Sequence, residues 1–173
     1  MTKTTTPKAR FPREIADFPL SQVTHVAHQL GCDAWEAGSY LRGRETIHDL
    51  DVVIVVPDGS DMQKVAIQFS EMLFGKSNAG CRIVRGRSDT GLQIDLYLCR
   101  PDEAAAMRMF LTGPARFNIM CRQRAQRRGW TLSQYGLFDA ADGAPVCDAE
   151  REQDIFAALG MDYLEPEARE RYA

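Results

Sequence analysis

One stretch of eight residues constrains the fold of this chain more than any other part of the sequence: Asp-Leu-Asp-Val-Val-Ile-Val-Val, residues 49–56. Its β-branched and mostly apolar residues predict a strand that is buried on both faces near its end. Because side chains alternate along a strand, Asp49 and Asp51 project from the same face. The sequence therefore places two carboxylates side by side at the start of a core strand.

Helices and strands surround this strand without a regular alternation. Apolar residues at helical spacing predict helices over residues 23–30, 62–73, 103–128 and 155–159, the third interrupted at Thr112-Gly113-Pro114. Runs rich in β-branched and apolar residues predict strands over residues 81–87, 92–98 and 131–138. This mixture indicates an α+β fold, in which a sheet-rich half passes into a more helical half near Pro101.

A third carboxylate, Asp95, lies among apolar residues of another predicted strand. Three acids that emerge from an apolar sheet are costly unless cations compensate them. Carboxylate oxygens suit Mg²⁺, and two such ions about 3.5–4 Å apart would clamp the attacking and leaving oxygens of a phosphoryl transfer. The alternative is that Asp49 and Asp51 are water-exposed residues at the start of the strand, since Asp-x-Asp before an apolar strand is common.

The segment just upstream of the strand favours phosphate chemistry. Gly38-Ser39 opens a predicted turn whose N–H groups and hydroxyl suit phosphate oxygens. Arg42 adds a donor that can bind a triphosphate in bidentate fashion. A phosphate-binding turn and a pair of metal ligands thus lie within one short segment.

The distribution of charge matters more than its sum. The net charge of −3 at pH 7 argues weakly against a nucleic-acid partner. However, the acidic residues are concentrated after Asp139, whereas basic residues cluster at the start of the chain and in a second block: Arg116, Arg122, Arg124, Arg127 and Arg128. A local basic face therefore survives the acidic total.

Three further observations concern location. No apolar run approaches the roughly 20 residues that span a bilayer. Residues 1–9 carry charge without a hydrophobic segment behind them, so we expect a flexible leader and no secretory signal. The five cysteines are scattered and odd in number, which favours reduced thiols. These features predict a cytoplasmic protein, or one of the host cytoplasm or nucleoid if it is viral, with no membrane partner.

The motif Gly-Ser-Tyr-Leu-Arg-Gly-Arg-Glu-Thr-Ile-His-Asp-Leu-Asp, residues 38–51, resembles the signature of the family X DNA polymerases, the group of polymerase beta and terminal transferase. The resemblance continues over nearly the whole chain from Arg10. It includes the strand around Asp95, an aromatic-x-Thr-Gly element at residues 110–113, and thumb motifs at residues 134–138 and 152–156. It implies an α+β nucleotidyltransferase palm with a mixed sheet over residues 10–101 and a small α+β thumb over residues 102–173.

The resemblance also implies roles for individual residues. Asp49, Asp51 and Asp95 would be the catalytic residues and would bind two Mg²⁺ ions, with Mn²⁺ as an alternative. The nucleotide would be bound by Arg10, Gly38, Ser39, Arg42, His48, Phe110, Gly113 and Asn118. DNA would contact Arg122 together with Arg116, Arg124, Arg127 and Arg128. The Gly113–Pro114 bond is a candidate for a cis peptide, an isomer that proline makes accessible.

Asn118 and Arg122 lie four residues apart, so one helix face presents both. Minor-groove edges carry an acceptor on every base, and donors placed there test base-pair shape without reading the sequence. We therefore expect a monomeric enzyme that adds deoxynucleotides from dNTP to a DNA primer 3′-OH, in gap filling or DNA repair. Three alternatives stay open: untemplated terminal transfer, transfer to an RNA end, a small molecule or a protein, and DNA-end binding without turnover.

Several positions depart from the family pattern: Leu41 for a second arginine, His48 for glycine, Gln93 for a basic residue and Ala115 for an acid. These changes bear on efficiency and fidelity more than on the chemistry. The chain also starts at the palm, so we expect no lyase domain and no lyase activity. A palm followed directly by a thumb is the form of small viral members of the family.

Overall fold

A four-stranded mixed sheet forms the centre of the N-terminal half in the computed structural model, which describes residues 9–76 and 79–173. Residues 1–8 of the predicted leader lie outside the described residues. The elements of this half are β1 (Phe11–Pro12), a 3₁₀ helix (Arg13–Ala16), α1 (Asp17–Gln29), β2 (Asp33–Glu36), α2 (Gly38–Leu41), β3 (Thr46–Ile47), β4 (Asp49–Val55), α3 (Met62–Phe74), β5 (Ile83–Arg87) and β6 (Gln93–Cys99). The sheet order is β2-β4-β6-β5, with β4 and β6 parallel and the outer pairs antiparallel.

The two faces of this sheet are covered by different helices. Leu50, Val52 and Ile54 of β4 point towards α1 and α3 and belong to the largest apolar cluster. Val53 and Val55 point to the opposite face and join a smaller cluster with residues of the following helix. Because side chains alternate, Asp49 and Asp51 share the face of Val53. The predicted strand and its two-sided burial are confirmed.

The C-terminal half is a small α+β unit with its own core. Its elements are a 3₁₀ helix (Pro101–Glu103), α4 (Ala104–Thr112), α5 (Ala115–Gln126), β7 (Trp130–Ser133), β8 (Gly136–Asp139), α6 (Glu152–Ala158) and a 3₁₀ helix (Glu167–Tyr172). The strands β7 and β8 form an antiparallel hairpin, which the sequence predicted as one strand region. The predicted α+β fold class is confirmed.

Helix α4 connects the two halves because it packs in both directions. Ala104 and Met107 belong to the cluster on the aspartate face of the sheet. Ala105, Ala106 and Met109 belong instead to the C-terminal core around Phe117. The predicted division at residues 101 and 102 therefore falls just before a helix that both cores share, and the division itself stays a prediction.

A buried ion pair stabilises the C-terminal core. The guanidinium of Arg169 is completely buried and donates to Glu152 and to the carbonyl oxygen of Leu164. Three aromatic rings surround it, with centroids 5.2–5.6 Å from the guanidinium carbon: Phe117, Phe156 and Tyr163. The final 3₁₀ helix is thereby fixed to α6.

The remaining structural expectations concern thiols and membranes. All five cysteines are free, as predicted. Burial raises the pKa of Cys99 to about 12 and that of Cys121 to about 11, so both thiols stay protonated at neutral pH. No helix in the ranges 9–76 and 79–173 is long and apolar enough to cross a membrane.

Candidate active site

The parallel pairing of β4 with β6 brings two of the three predicted carboxylates together. Asp51 lies directly opposite Asp95, and Asp49 lies opposite Gln93. Neighbouring strands are about 4.8 Å apart, so Asp51 and Asp95 are separated by one interstrand spacing at the backbone. All three aspartates share one face of the sheet, because Asp49 and Asp95 are in phase with Asp51. Asp95 is 4% exposed, and the other two are half-buried.

Asp95 is held by two neighbouring side chains. The amide of Gln93 donates to both of its carboxylate oxygens at 3.0 Å, and Arg85 Nε lies 3.3 Å from Oδ1. In the described part of the chain, no three His, Cys, Asp or Glu side chains are gathered closely enough to hold a metal ion as they stand. The backbone register nevertheless sets Asp51 opposite Asp95 and places Asp49 on the same face.

Gly38, the first residue of the short helix α2, lies directly against the carboxylate of Asp51. Gly38 has a φ of 66°, a conformation that glycine adopts readily, and a methyl group built on it would overlap the Asp51 carboxylate. The N–H of Ala37 donates to the carbonyl oxygen of Asp51 at 3.0 Å. Ser39, the following residue, is half-buried. The structure therefore places the predicted phosphate-binding segment next to Asp51, one of the predicted metal ligands.

Arg42 connects the predicted nucleotide site to the C-terminal half. Its side chain is 9% exposed, donates to the carbonyl oxygen of Thr112 at 2.6 Å, and forms an ion pair with Glu170. Arg44 binds the second oxygen of Glu170 at 2.9 Å. The arginine predicted to bind a triphosphate is thus engaged by a carboxylate of the final 3₁₀ helix.

The pairing of β1 with β3 brings Arg10 to the same region. Phe11 lies opposite Ile47, which places Arg10 near His48 at the end of the short ladder. A ring nitrogen of His48 lies 2.9 Å from the carbonyl oxygen of Ala9. Arg10 is exposed. Both predicted nucleotide-binding residues therefore flank the start of β4.

Three of the residues predicted to bind the nucleotide lie close together where α4 meets α5: Phe110, Gly113 and Asn118. Asn118 donates from its amide to the carbonyl oxygen of Phe110 at 2.7 Å. Gly113 is buried between them, and a side chain there would overlap both Asn118 and Phe117. No described peptide bond is cis, so the candidate cis bond at Gly113–Pro114 is trans. Pro114 has φ −66° and ψ 157° and begins α5 from extended backbone, so the chain turns without the rare isomer.

The predicted DNA-binding arginines are all exposed, but they do not share one face: Arg116, Arg122, Arg124, Arg127 and Arg128. Arg122 lies beside Asn118 along one edge of α5. Arg124 instead donates to the carbonyl oxygens of Leu159 and Gly160, at the end of α6. Arg128 lies over the Trp130 ring, 5.8 Å from its centroid. Part of this basic block is therefore used within the C-terminal unit itself.

Two residues of the site were not predicted from the sequence, Arg85 and Tyr97. Tyr97 follows Asp95 by two residues on β6 and so lies on the same face. Burial raises the pKa of Tyr97, and the charges of Asp51 and Asp95 raise it further, while Arg85 opposes them. The alternation of β6 could have identified Tyr97, whereas Arg85 required the pairing of β5 with β6.

Comparison with known proteins agrees with this geometry. Residues 107–170 match the family model described as DNA polymerase beta thumb. The fold is similar to two structures of polymerase beta from Leishmania infantum, a ternary primer–template complex (TM-score 0.78, 20% identity, 93% of this chain and 77% of that chain) and a ternary gap complex (TM-score 0.80, 19% identity, 93% and 71%).

Three relatives have similar sequences. DNA polymerase lambda of Rattus norvegicus is 28% identical, with 93% of this chain and 33% of the rat protein covered. The DNA polymerase/3′-5′ exonuclease PolX of Bacillus subtilis is 26% identical, with 93% and 27% covered. The repair DNA polymerase X of African swine fever virus is 26% identical, with 76% and 78% covered. The chain thus spans about a third or less of the two cellular relatives. The chain therefore matches the thumb of DNA polymerase beta over residues 107–170, has the fold of polymerase beta, and is similar in sequence to the DNA polymerases of these three organisms.

Proposed function

We propose that this protein is a DNA-directed DNA polymerase that transfers a deoxynucleoside monophosphate from dNTP to a DNA primer 3′-OH and releases pyrophosphate. The observation that carries the proposal is the register of the parallel strands, which sets Asp51 opposite Asp95 with Asp49 on the same face. Gly38 lies directly against the carboxylate of Asp51. Relatives named as repair polymerases favour gap filling or DNA repair as the setting.

The donor set fits divalent magnesium. Asp49, Asp51 and Asp95 offer oxygen ligands alone, which Mg²⁺ prefers and Mn²⁺ accepts. Two ions held by these carboxylates would favour deprotonation of the primer 3′-OH and neutralise the charge on the transferred phosphate. The protein's own part is to bring the carboxylates together on adjacent strands, where the amide of Gln93 donates to both oxygens of Asp95.

The nucleotide would lie between Gly38 and the start of α5. Ser39 and the exposed Arg10 would hold the triphosphate, with His48 at the flank, and Arg42 would join them once Glu170 releases it. Phe110, Gly113 and Asn118 would border the sugar and base. The donor group of Asn118 would then exchange its bond to Phe110 for a nucleotide acceptor.

DNA would follow α5 and the segment beyond it. Arg122 lies next to Asn118 and would reach a minor-groove edge, while Arg116 and Arg127 would contact phosphates. We infer that Arg124 and Arg128 contribute less, because both contact other parts of the C-terminal unit.

The palm would extend over residues 10–101 and the thumb over residues 102–173. The protein would act as a monomer in the cytoplasm.

The test is single-nucleotide incorporation on a labelled primer with Mg²⁺, using a gapped duplex, a recessed primer and a single strand. We expect template-matched addition that Asp51→Asn abolishes. Asp58→Asn is the matched control, because Asp58 is an exposed carboxylate in the turn after β4. A higher rate on the gap than on the recessed end supports repair.

Other outcomes would assign a different function. Equal addition of all four nucleotides regardless of the template would indicate a terminal transferase. No addition to any DNA, with Mg²⁺ or Mn²⁺, would contradict polymerase activity and direct the search to RNA ends or small-molecule acceptors. Tight binding of DNA ends without any turnover would indicate a binding module.

A further inference from the structure

Resting on the proposed function, we propose that Arg85 is a positioning residue that orients the Asp95 carboxylate for metal binding and catalysis. Arg85 lies on β5, outside every motif on which the assignment of the active site depends. Its role follows from the register of the outer strand pair, in which Arg85 is the direct partner of Asp95.

The geometry of the β5–β6 pair fixes this contact. Side chains that lie directly opposite each other in an antiparallel pair share one face, about 4.5–5.5 Å apart at Cβ. Arg85 Nε accordingly lies 3.3 Å from Asp95 Oδ1. The neighbouring residues of β5 alternate as expected, with Val84 and Gly86 buried and Arg85 exposed. A shift of register by one residue would remove the contact, so the strand pairing itself holds the arginine in place.

Burial explains why Asp95 needs a cation. It is the most buried of the three aspartates, and an ionised carboxylate that loses water requires compensation by charge or hydrogen bonds. Gln93 donates to both carboxylate oxygens but carries no charge. Glutamine at position 93 is one of the departures from the family pattern, in which this residue is basic. Arg85 supplies a positive charge from the adjacent strand.

The arginine acts on the Asp95 carboxylate through its charge and its position. The charge of Asp95 is the main cause that raises the pKa of Arg85, and Tyr97 contributes less. A planar guanidinium 3.3 Å from Oδ1, together with the two bonds from the Gln93 amide, limits the rotation of the carboxylate more than the amide alone would.

The exposure of Arg85 separates this role from a stabilising one. Its side chain is 61% exposed, and ion pairs of that kind contribute little to stability. Groups that orient metal ligands, in contrast, change metal affinity or activity by about 10- to 100-fold when they are removed. The expected loss is therefore in metal binding and turnover, and not in folding.

The experiment uses Arg85→Gln, Arg85→Lys and the control Arg87→Gln in the full chain. Arg87 is exposed on the same strand and donates to the carbonyl oxygen of Gly91, so its loss removes the same charge without touching Asp95. Mn²⁺ binding is measured without DNA by electron paramagnetic resonance, and kcat and KM for dNTP are measured on gapped DNA. For Arg85→Gln we expect Mn²⁺ affinity and kcat to fall about 10- to 100-fold with KM within about threefold. For Arg85→Lys, Mn²⁺ affinity and kcat should lie between those of the wild type and those of Arg85→Gln. Arg87→Gln should match the wild type in both.

A relocated charge provides the second test. In Arg85→Gln/Gln93→Arg the cation returns from β6 to the same carboxylate, so kcat and Mn²⁺ affinity should recover by about tenfold over Arg85→Gln. The inference is overturned if Arg85→Gln leaves either Mn²⁺ affinity or kcat unchanged, if Arg87→Gln causes an equal loss, or if the relocated charge restores neither quantity. A wild-type protein that binds Mn²⁺ but incorporates no nucleotide would reject the proposed function, while the Mn²⁺ comparison would still decide the role of Arg85.

Discussion

Two arginine–carboxylate pairs in this protein, one in each half, have opposite surroundings. In the C-terminal core, Arg169 and Glu152 are both buried, and the arginine is enclosed by aromatic rings. On the sheet, Arg85 is 61% exposed while its partner Asp95 is buried. The first pair is closed on all sides, whereas the second pair is open on the side of the cation.

Exposure separates a pair that stabilises the fold from a pair whose carboxylate can take another ligand. Removing one partner of a buried pair leaves an uncompensated charge in the interior. An exposed guanidinium can instead exchange its carboxylate partner for water at little cost. Asp95 therefore stays available to a further ligand, while Glu152 is committed to Arg169.

The largest expected effect is on catalysis and concerns the partly exposed pair, Arg85 and Asp95. Asp95→Asn should lower kcat on gapped DNA roughly 10⁴-fold, equal to about 5.5 kcal/mol in the barrier, because one oxygen ligand and its charge are lost. The free energy of unfolding should change by less than about 1 kcal/mol, because an amide can still accept from Gln93. Urea titration and single-turnover incorporation measure the two quantities. A drop in stability as large as the drop in rate would contradict the contrast between the pairs.

A change in the buried pair, Arg169 and Glu152, should lower stability instead. Arg169→Met should lower the free energy of unfolding by about 3–5 kcal/mol, because Glu152 is left buried without its partner. Urea denaturation followed by circular dichroism measures the loss. Arg171→Met, an exposed arginine of the same 3₁₀ helix, should change stability by less than about 0.5 kcal/mol. Adding Glu152→Leu to Arg169→Met should recover part of the loss, and failure to recover any would indicate that the aromatic contacts matter more than the charge.

Two arginines of α5, Arg122 and Arg124, should differ in a similar way but with smaller effects. Arg122→Ala should weaken binding of gapped DNA and lower the slope of log K against log salt by about 1 if it contacts a phosphate, or leave the slope unchanged if it contacts bases alone. Arg124→Ala should lower stability by about 1–2 kcal/mol, because it removes donors from two carbonyl oxygens at the end of α6. Fluorescence anisotropy over a salt series and urea titration separate the effects. Equal losses of DNA affinity in both variants would contradict the assignment of Arg124 to the fold.

The smallest effect concerns Glu170 and pH. Partial burial alone would raise the pKa of this carboxyl, but hydrogen bonds from Arg42 and Arg44 lower it below its ordinary value. A carboxyl whose pKa is lowered in the folded state stabilises the protein above its ordinary pKa of about 4.3, and this is lost as pH falls through the lowered value. Because Glu170 is partly exposed, the contribution should be below about 1 kcal/mol.

Glu170→Gln is the measurement for this pair. Its unfolding free energy should be lower than that of the wild type at pH 7 and should converge with it as pH falls through the lowered pKa of Glu170. The same change should lower KM for dNTP by about two- to fivefold, since Arg42 no longer has to leave a carboxylate. A KM that is unchanged or raised would count against a nucleotide role for Arg42.

The sequence predicted the three carboxylates that the structure aligns on one face of the sheet, but not Arg85 and Tyr97 beside them. The period of two along β4 placed Asp49 and Asp51 on one face, because alternation is a local property of a strand. The pairing of Asp51 with Asp95 depends on strand order, which local patterns do not determine. Arg85 and Asp95 lie on different strands, and only the β5–β6 register sets them opposite each other. The engagement of Arg42 by Glu170 joins two distant segments and carries no local signal.

The contact between Arg42 and Glu170 also sets an order of events during synthesis. Its partners are 128 residues apart, so it closes one of the longest loops in the chain. Closing a long loop costs entropy before any contact compensates for it, and domains fold as units from the N-terminal side as the ribosome delivers them. The sheet with its three aspartates can therefore assemble while Arg42 still faces water. Docking of Glu170 would then be a late step. In a nascent chain halted before residue 170, the sheet would be folded and Arg42 would have no contact with Glu170.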